Sequence, residues 1–153
     1  MNLRPERPRD ITMEPKKVLE TSPAVSACRA LRSQEERLAE ATRIAEANFV
    51  AINYITCKPH YAERFECLFC SRARAIDTMP GFCGMRVLKC TDDGQPYLVI
   101  SYWDSEEHFR AWVGSPEFLE GHKRGFEDLR AAKERGEEPP MTSDFKTYAI
   151  LTD

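Results

Sequence analysis

Apolar and polar residues alternate in four segments of the chain that are rich in β-branched and aromatic side chains. The segments are residues 49–56, 82–90, 95–103 and 145–151. An alternation with a period of two residues is typical of β-strands, because successive side chains of a strand point to opposite faces of the sheet. The pattern therefore predicts four strands.

The first segment, FVAINYIT, carries one polar residue in an otherwise apolar row. One face of this strand is predicted to hold Phe49, Ala51, Asn53 and Ile55. An amide that is buried in such a row without a partner costs roughly 1–3 kcal/mol. Asn53 therefore needs either a structural hydrogen bond or a ligand.

Between the first and second strands, apolar residues recur with a period of about 3.6 residues instead of two. Pro59 suits the first position of a helix, where its missing N–H would have no partner. Apolar residues then recur at every third or fourth position. This pattern predicts one helix from about His60 to Asp77, which ends at the Met79-Pro80-Gly81 turn.

A second helical region follows the third strand. We predict Asp104 as its N-cap, in a capping box, and Gly114 as its end. Ser115-Pro116 is predicted to start a short helix that ends near Gly121-His122. A charged and exposed helical continuation is predicted over residues 125–135.

The order of these elements is β-α-β-β-α-β, which is the ferredoxin-like arrangement. It predicts an α+β domain over residues 48–153, with a four-stranded antiparallel sheet and helices on one face. Several strands carry apolar residues on both faces, for example Val99 and Ile100. Because a second copy of the sheet would cover the other face, we expect a homodimer.

Residues 1–47 form a predicted N-terminal extension. Residues 1–30 hold four prolines, many charges and little apolar periodicity, which favours a flexible arm. Ser33 and Glu36 form a capping box, so an amphipathic helix is predicted over 33–46. Its apolar stripe is narrow and rich in alanine, which is typical of an appendage that would be weak alone.

Composition excludes several classes of function. The 153 residues suit one compact domain, and a net charge of -3 gives no basic field for binding nucleic acid. No apolar run approaches 18 residues, so no membrane span is predicted. The charged N-terminus lacks the apolar core of a signal peptide, and we therefore expect a cytoplasmic protein.

Six cysteines are expected to be reduced in that compartment. Cys67 and Cys70 form a C-x-x-C pair, which raises the possibilities of zinc or redox chemistry. The pair is predicted to lie in the middle of a helix, and no second pair follows at a zinc-binding spacing. Both are therefore interpreted as small apolar residues.

Three sequence motifs resemble those of a known family. These motifs are the MPGF turn at 79–82, the YWDSEEHFRAW segment at 102–112 and the late Gly121-His122 pair. With the element order, they resemble the antibiotic-biosynthesis-monooxygenase domains, which are dimeric α+β barrels. More narrowly, Asn53, Trp112 and His122 match the positions that characterise the IsdG-type haem-degrading monooxygenases. The resemblance covers about residues 48–152.

The resemblance implies that haem is both substrate and cofactor, and that the porphyrin ring is opened with O2 and electrons from an external donor, here an unidentified reductase. His122 would bind the haem iron, Asn53 would be a hydrogen-bond donor on the distal side, and Trp112 would press against the macrocycle. Phe69 could form a further apolar wall. Arg72 could reach a propionate as a charge-assisted donor.

Each residue has a simpler interpretation when it is taken alone. Asn53 could be a satisfied structural amide, Trp112 a core residue, and His122 a surface residue at a helix end. Two other functions also stay open. One is a cofactor-independent monooxygenase acting on quinols or polyketides in the same barrel, and the other is a haem carrier or sensor without catalysis.

Overall fold

The computed structural model describes residues 23–153, and its sheet has the predicted architecture. The four antiparallel strands lie in the order β2-β3-β1-β4. Their bounds are β1 Phe49–Cys57, β2 Phe82–Leu88, β3 Tyr97–Trp103 and β4 Met141–Ala149. This is the ferredoxin-like topology, so the predicted α+β fold class is confirmed. The last strand begins at Met141 rather than at Phe145.

Five α-helices accompany the sheet in the described part of the chain. They are α1 Pro23–Ala30, α2 Gln34–Ala45, α3 Ala62–Cys70, α4 Glu106–Val113 and α5 Pro116–Glu134. Short 3-10 turns cover Pro59–Tyr61 and Ala75–Thr78. Within residues 23–153, no helix has the length and apolar character needed to cross a membrane.

The helix after β1 is shorter than predicted. α3 ends at Cys70, so the C-x-x-C pair lies at its C-terminal end and not in its middle. Arg124 of α5 donates hydrogen bonds to the carbonyl oxygens of Leu68 and Ser71 at 2.9 and 2.8 Å. These carbonyls have no partner within the helix, and the guanidinium caps them. A tertiary contact therefore helps to fix the end of α3.

The helices after β3 also differ from the prediction. Ser105, not Asp104, is the N-cap of α4, and its hydroxyl accepts a hydrogen bond from the His108 N–H. Residues 116–134 form one continuous helix, so the predicted end near Gly121-His122 is wrong. Gly121 does not adopt a positive φ angle. It instead allows the Trp112 ring to approach, because a Cβ at Gly121 would lie 3.3 Å from Trp112 Cη2.

Two apolar clusters separate the sheet from α3, α4 and α5. The first is formed by Phe49, Ala51, Trp103, Phe109 and Trp112, and Phe118 packs against it. The second is formed by Ile55, Tyr61, Phe65 and Tyr97. Phe49, Ala51 and Ile55 of β1 belong to these clusters, so this side of the sheet is its helix-bearing face.

The N-terminal helices pack against the domain, whereas the sequence predicted a flexible arm followed by an appended helix. Residues 1–22 of the predicted flexible arm lie outside the described residues, while residues 23–30 form the helix α1, which was not predicted. The capping box of α2 is confirmed. Ile44 of α2 lies against Gly84, whose row in the sheet includes Tyr102 and Val50 and faces away from α3–α5. Helices therefore occupy both faces of the sheet.

Candidate active site

Asn53 lies in the middle of β1 on the helix-bearing face, between the two apolar clusters. Its neighbours across the sheet are Val99 of β3 and Phe145 of β4. The Asn53 Oδ1 atom is buried and has no hydrogen-bond partner among the described residues. A buried amide oxygen without a partner is unfavourable by about 1–3 kcal/mol. The sequence left two possibilities for Asn53, a structural hydrogen bond or a ligand. The structure provides no structural hydrogen bond to this oxygen.

His122 lies within α5, and its ring orientation is fixed by the helix. The Nδ1 atom lies 2.7 Å from the carbonyl oxygen of Phe118, one turn earlier. Because a carbonyl oxygen only accepts, Nδ1 is the donor, and the neutral ring therefore carries its lone pair on Nε2. No described residue gives Nε2 a hydrogen-bond partner. Histidines that bind metals have this arrangement, in which the second ring nitrogen donates to a carbonyl group.

Aromatic rings surround the His122 imidazole. It stacks on Phe118 at 4.1 Å and on Phe126 at 5.5 Å between ring centroids. These residues are four positions before and after it on α5, so all three lie on one side of the helix. Phe126 is 46% exposed, which leaves apolar surface beside the histidine.

Trp112 is a core residue that also contacts the histidine turn. Only 5% of it is exposed, and it packs edge-on against Phe118 at 5.4 Å. Its ring centroid is 6.1 Å from that of His122. The close approach to Gly121 means that Trp112 sets how near this turn of α5 comes to the core. The structure therefore brings Trp112 and His122 together.

A series of ring contacts connects Asn53 with His122 on the same side of the sheet. Phe145, which pairs with Asn53, stacks on Phe109 at 5.6 Å. Phe109 and Trp112 belong to one cluster, and Trp112 contacts His122. Phe145 is 50% exposed. The site therefore has a buried amide oxygen, an imidazole nitrogen and half-exposed aromatic rings, which suits a flat apolar ligand with a metal centre.

Phe69 and Arg72 line a cavity whose lining does not include Asn53, Trp112 or His122. The cavity has a volume of about 130 Å³ and is lined by Cys28, Arg32, Glu40, Phe69, Cys70, Arg72, Arg74, Met85 and Val87. Arg72 forms two hydrogen bonds with Asp77, at 2.8 and 3.2 Å. To reach a propionate, its guanidinium would have to leave this carboxylate. The cavity is smaller than the roughly 300–1,000 Å³ of common ligand pockets.

Within residues 23–153, no group of three or more His, Cys, Asp or Glu side chains could hold a metal ion. A metal bound by His122 would therefore have to bring its other donor atoms with it. A metalloporphyrin does so, because the macrocycle supplies four nitrogen ligands and leaves an axial position for imidazole. The residues present thus fit haem better than a bare metal ion.

Three residues shape this site in ways that were not predicted from the sequence. Phe126 and Phe145 supply the half-exposed aromatic surface, and Gly121 admits the Trp112 ring. A signal for Phe126 was present, since Phe118, His122 and Phe126 follow one another at the four-residue spacing of a helix face. No such signal was available for Phe145, because its contact with Phe109 arises only in the folded chain.

The fold and the site define a ferredoxin-like α+β domain that has, on its helix-bearing side, a histidine and an asparagine whose amide oxygen is buried. The sequence profile of the family described as Antibiotic biosynthesis monooxygenase matches residues 48–124. The chain belongs to this family.

Among curated relatives, the chain is 34% identical over 67 residues to a "Heme oxygenase (mycobilin-producing)" from Mycobacterium tuberculosis. The match spans 44% of this chain and 64% of the relative, so it falls short of two thirds of that protein's length. It is also 35% identical over 77 residues to a "Heme oxygenase (staphylobilin-producing)" from Staphylococcus epidermidis. This match spans 49% of the chain and 73% of the relative.

Two solved structures illustrate the range of the fold. The haem degrader MhuD from Mycobacterium tuberculosis, with two haems bound in its active site, superposes with a TM-score of 0.50 at 26% identity, over 69% of this chain and 97% of MhuD. The cofactor-independent oxygenase SnoaB from Streptomyces nogalater gives a TM-score of 0.52 at 24% identity, over 70% of this chain and 96% of SnoaB. The likeness to SnoaB concerns the fold alone.

Proposed function

We propose that this protein is a haem-degrading monooxygenase. Haem would be its substrate and its cofactor, and the porphyrin ring would be opened with O2 and electrons from an external donor, which releases the iron. We place the reaction in the cytoplasm. The observation that carries the proposal is the His122 ring, whose Nδ1 donates to Phe118 and whose Nε2 is left as a ligand.

The residues of the site would divide the work between them. His122 would bind the iron through Nε2, because a neutral imidazole is a good iron ligand. Asn53 would offer its side-chain amide as a neutral hydrogen-bond donor in the site, without supplying a strong acid. Bound haem would contribute the iron that activates O2. The half-exposed rings of Phe126 and Phe145 would exclude water from the macrocycle.

Trp112 would act mainly through the position of His122. Its ring is enclosed by the first cluster and by α5, so the 5% that is exposed offers only a small edge to a ligand. That edge, with the tight contact at Gly121, would limit how closely a flat macrocycle can approach α5. A role in bending the macrocycle, which the family resemblance implies, requires contact at this edge.

The second candidate is a cofactor-independent monooxygenase. It is favoured by the half-exposed aromatic rings of Phe126 and Phe145, which would bind an apolar organic substrate without a metal. In this case His122 would need no ligand, and the apolar site would hold an organic substrate that reacts with O2 directly.

A hemin titration separates the two functions. We expect a Soret shift on binding, followed by loss of the Soret band and release of iron when ascorbate or a reductase is added under air. Catalase is present throughout, so that free peroxide does not cause the reaction. His122→Ala is expected to weaken hemin binding by more than the roughly 10–100-fold that changes outside the first coordination sphere cause. Asn53→Ala should retain binding and lose turnover.

His60→Ala is the matched control, because His60 is an exposed histidine far along the chain from α5. It should bind and degrade hemin like the wild type. A folded protein that gives no Soret shift would exclude the haem enzyme and favour the cofactor-independent reaction. A shift without ring opening would instead indicate a haem carrier.

A further inference from the structure

Cys28 and Cys70 lie in contact although 42 positions separate them in the sequence. The Cys28 Sγ donates a hydrogen bond to the Cys70 carbonyl oxygen at 3.3 Å, and the two thiols also share a side-chain hydrogen bond. Cys28 belongs to α1, and Cys70 is the last residue of α3. The two thiols therefore lie at the contact between the N-terminal extension and the domain.

A third thiol and a cavity lie at the same place. Cys67 is one turn before Cys70 on α3 and affects its ionisation. Cys28 and Cys70 both line the cavity of about 130 Å³, and both side chains are only half-buried. The cavity gives the thiols room to turn toward each other, and the partial exposure lets a small oxidant reach them.

We propose that Cys28 and Cys70 form a reversible disulfide that links α1 to α3. The oxidant is a low-molecular-weight disulfide such as oxidised glutathione. The inference does not depend on haem or on the proposed reaction. It differs from the interpretation of the sequence, in which only the local pair Cys67 and Cys70 was considered.

The exchange proceeds in two steps that balance. The Cys28 thiolate attacks oxidised glutathione, which forms a mixed disulfide and releases one glutathione thiolate. The Cys70 thiolate then attacks the Cys28 sulfur, which forms the protein disulfide and releases the second glutathione. The two protein thiols lose two electrons and two protons, and one oxidised glutathione becomes two reduced molecules.

The environment of Cys70 determines how the reaction depends on pH. Burial is the main factor that raises the pKa of Cys70 to about 11, and the neighbouring Cys28 thiol contributes to the increase. Its thiolate is therefore scarce near neutral pH, so the second step is slow there. The rate of closure is expected to rise with pH toward that value.

The test uses the full chain in glutathione buffers of increasing oxidised fraction, followed by alkylation and tryptic mapping. Trypsin releases Cys28 in residues 18–29 and both Cys67 and Cys70 in residues 65–72. Cys67→Ser therefore removes the ambiguity of the second peptide. We expect the 18–29 and 65–72 peptides to be linked in the wild type and in Cys67→Ser, and unlinked in Cys28→Ser.

Two physical readouts accompany the mapping. Oxidation should slow hydrogen exchange of the α1 amides and raise Tm by roughly 5–10 °C, because the bond closes a long loop. Cys90→Ser is the control, since Cys90 lies in the loop between β2 and β3, and it should behave like the wild type. A disulfide between Cys67 and Cys70, the absence of any link, or a link without slower exchange in α1 would overturn the proposal.

Discussion

Glu40 of α2 is a buried carboxylate, 4% exposed, that joins the N-terminal extension to the edge of the sheet. Arg32 and Arg86 donate to its Oε2 atom at 2.7 and 2.8 Å, and the Met85 N–H donates to Oε1 at 3.2 Å. Burial raises the pKa of Glu40, but the hydrogen bonds outweigh this effect and hold the pKa below its ordinary value of 4.5. The charged form is therefore the one that the fold favours.

Glu40→Gln is expected to lower the free energy of unfolding by about 1–3 kcal/mol at neutral pH, because the charge-assisted hydrogen bonds become neutral ones. A lowered folded-state pKa gives stability that is complete above the unfolded value of 4.5 and is lost as pH falls through the folded value. The difference between wild type and variant should therefore shrink in acid. Urea unfolding at several pH values measures it.

Glu127→Gln is the control for this prediction, since Glu127 is exposed on α5. It should change stability by no more than about 0.5 kcal/mol. If Glu40→Gln keeps a constant deficit from about pH 7 into acid, the deficit arises from packing and not from the charge.

The sequence predicted His122 and Asn53 as candidate ligands but not their geometry. The sequence indicated both as candidate ligands, and the structure puts them on the same side of the sheet with Trp112 beside the histidine. The sequence could not indicate which ring nitrogen of His122 is available to a ligand. That depends on the Phe118 carbonyl one turn earlier, which is reachable only because α5 continues through Gly121.

At the scale of elements, strands were easier to predict than helix ends. The β-branched and aromatic residues of β1 and β3 indicated their positions to within two residues. Helix ends depended on contacts between distant residues. Arg124 caps α3, and the Trp112 ring occupies the space that a side chain at position 121 would need. Gly121 therefore looked like a helix end in the sequence and is a packing contact in the fold.

A substitution at Gly84 tests how the helix α2 packs on the strand β2. A Cβ at this position would lie 2.7 Å from Ile44 Cδ1 and 2.8 Å from Glu40 Cγ. Gly84→Ala should therefore displace α2 and lower the free energy of unfolding by about 1–3 kcal/mol. Denaturant unfolding and hydrogen exchange of the α2 amides measure the two effects.

Gly125→Ala offers a matched comparison within α5. Its Cβ would meet Met141 Cε at 3.5 Å, an ordinary contact. Alanine is favoured over glycine in a helix by about 1 kcal/mol, so this variant should be more stable than the wild type. Equal stability of Gly84→Ala and wild type would show that α2 does not rest on β2 in solution.

At the scale of the whole molecule, the sheet face opposite α3–α5 is only partly covered by α2. Leu88, Tyr148 and Ile150 are 45%, 41% and 37% exposed, and Leu88 and Tyr148 lie on this face. The sequence led us to expect a partner sheet there, and we propose that a second copy occupies the part of the face that α2 leaves open. The presence of α2 on this face was not predicted, because its contacts with Gly84 join distant parts of the chain.

Tyr148→Asp tests this homodimer. It puts a charge on this face at the outer strand β4, so the expected result is a shift from a dimer to a monomer of 17.6 kDa in sedimentation velocity. Leu38→Asp, at an exposed apolar residue of α2, should leave the dimer intact. A wild-type protein that sediments as a monomer at high concentration would rule the dimer out.

The hydrogen bond from the Met85 N–H to Glu40 has a consequence for solubility. β2 is an outer strand of the sheet, and such strands expose backbone donors that can pair with a strand of another molecule. The carboxylate of Glu40 occupies one of these donors, and α2 shields the strand around it. A chain that starts at Asn48 would lose this protection, so it should retain its fold and yet aggregate through β2.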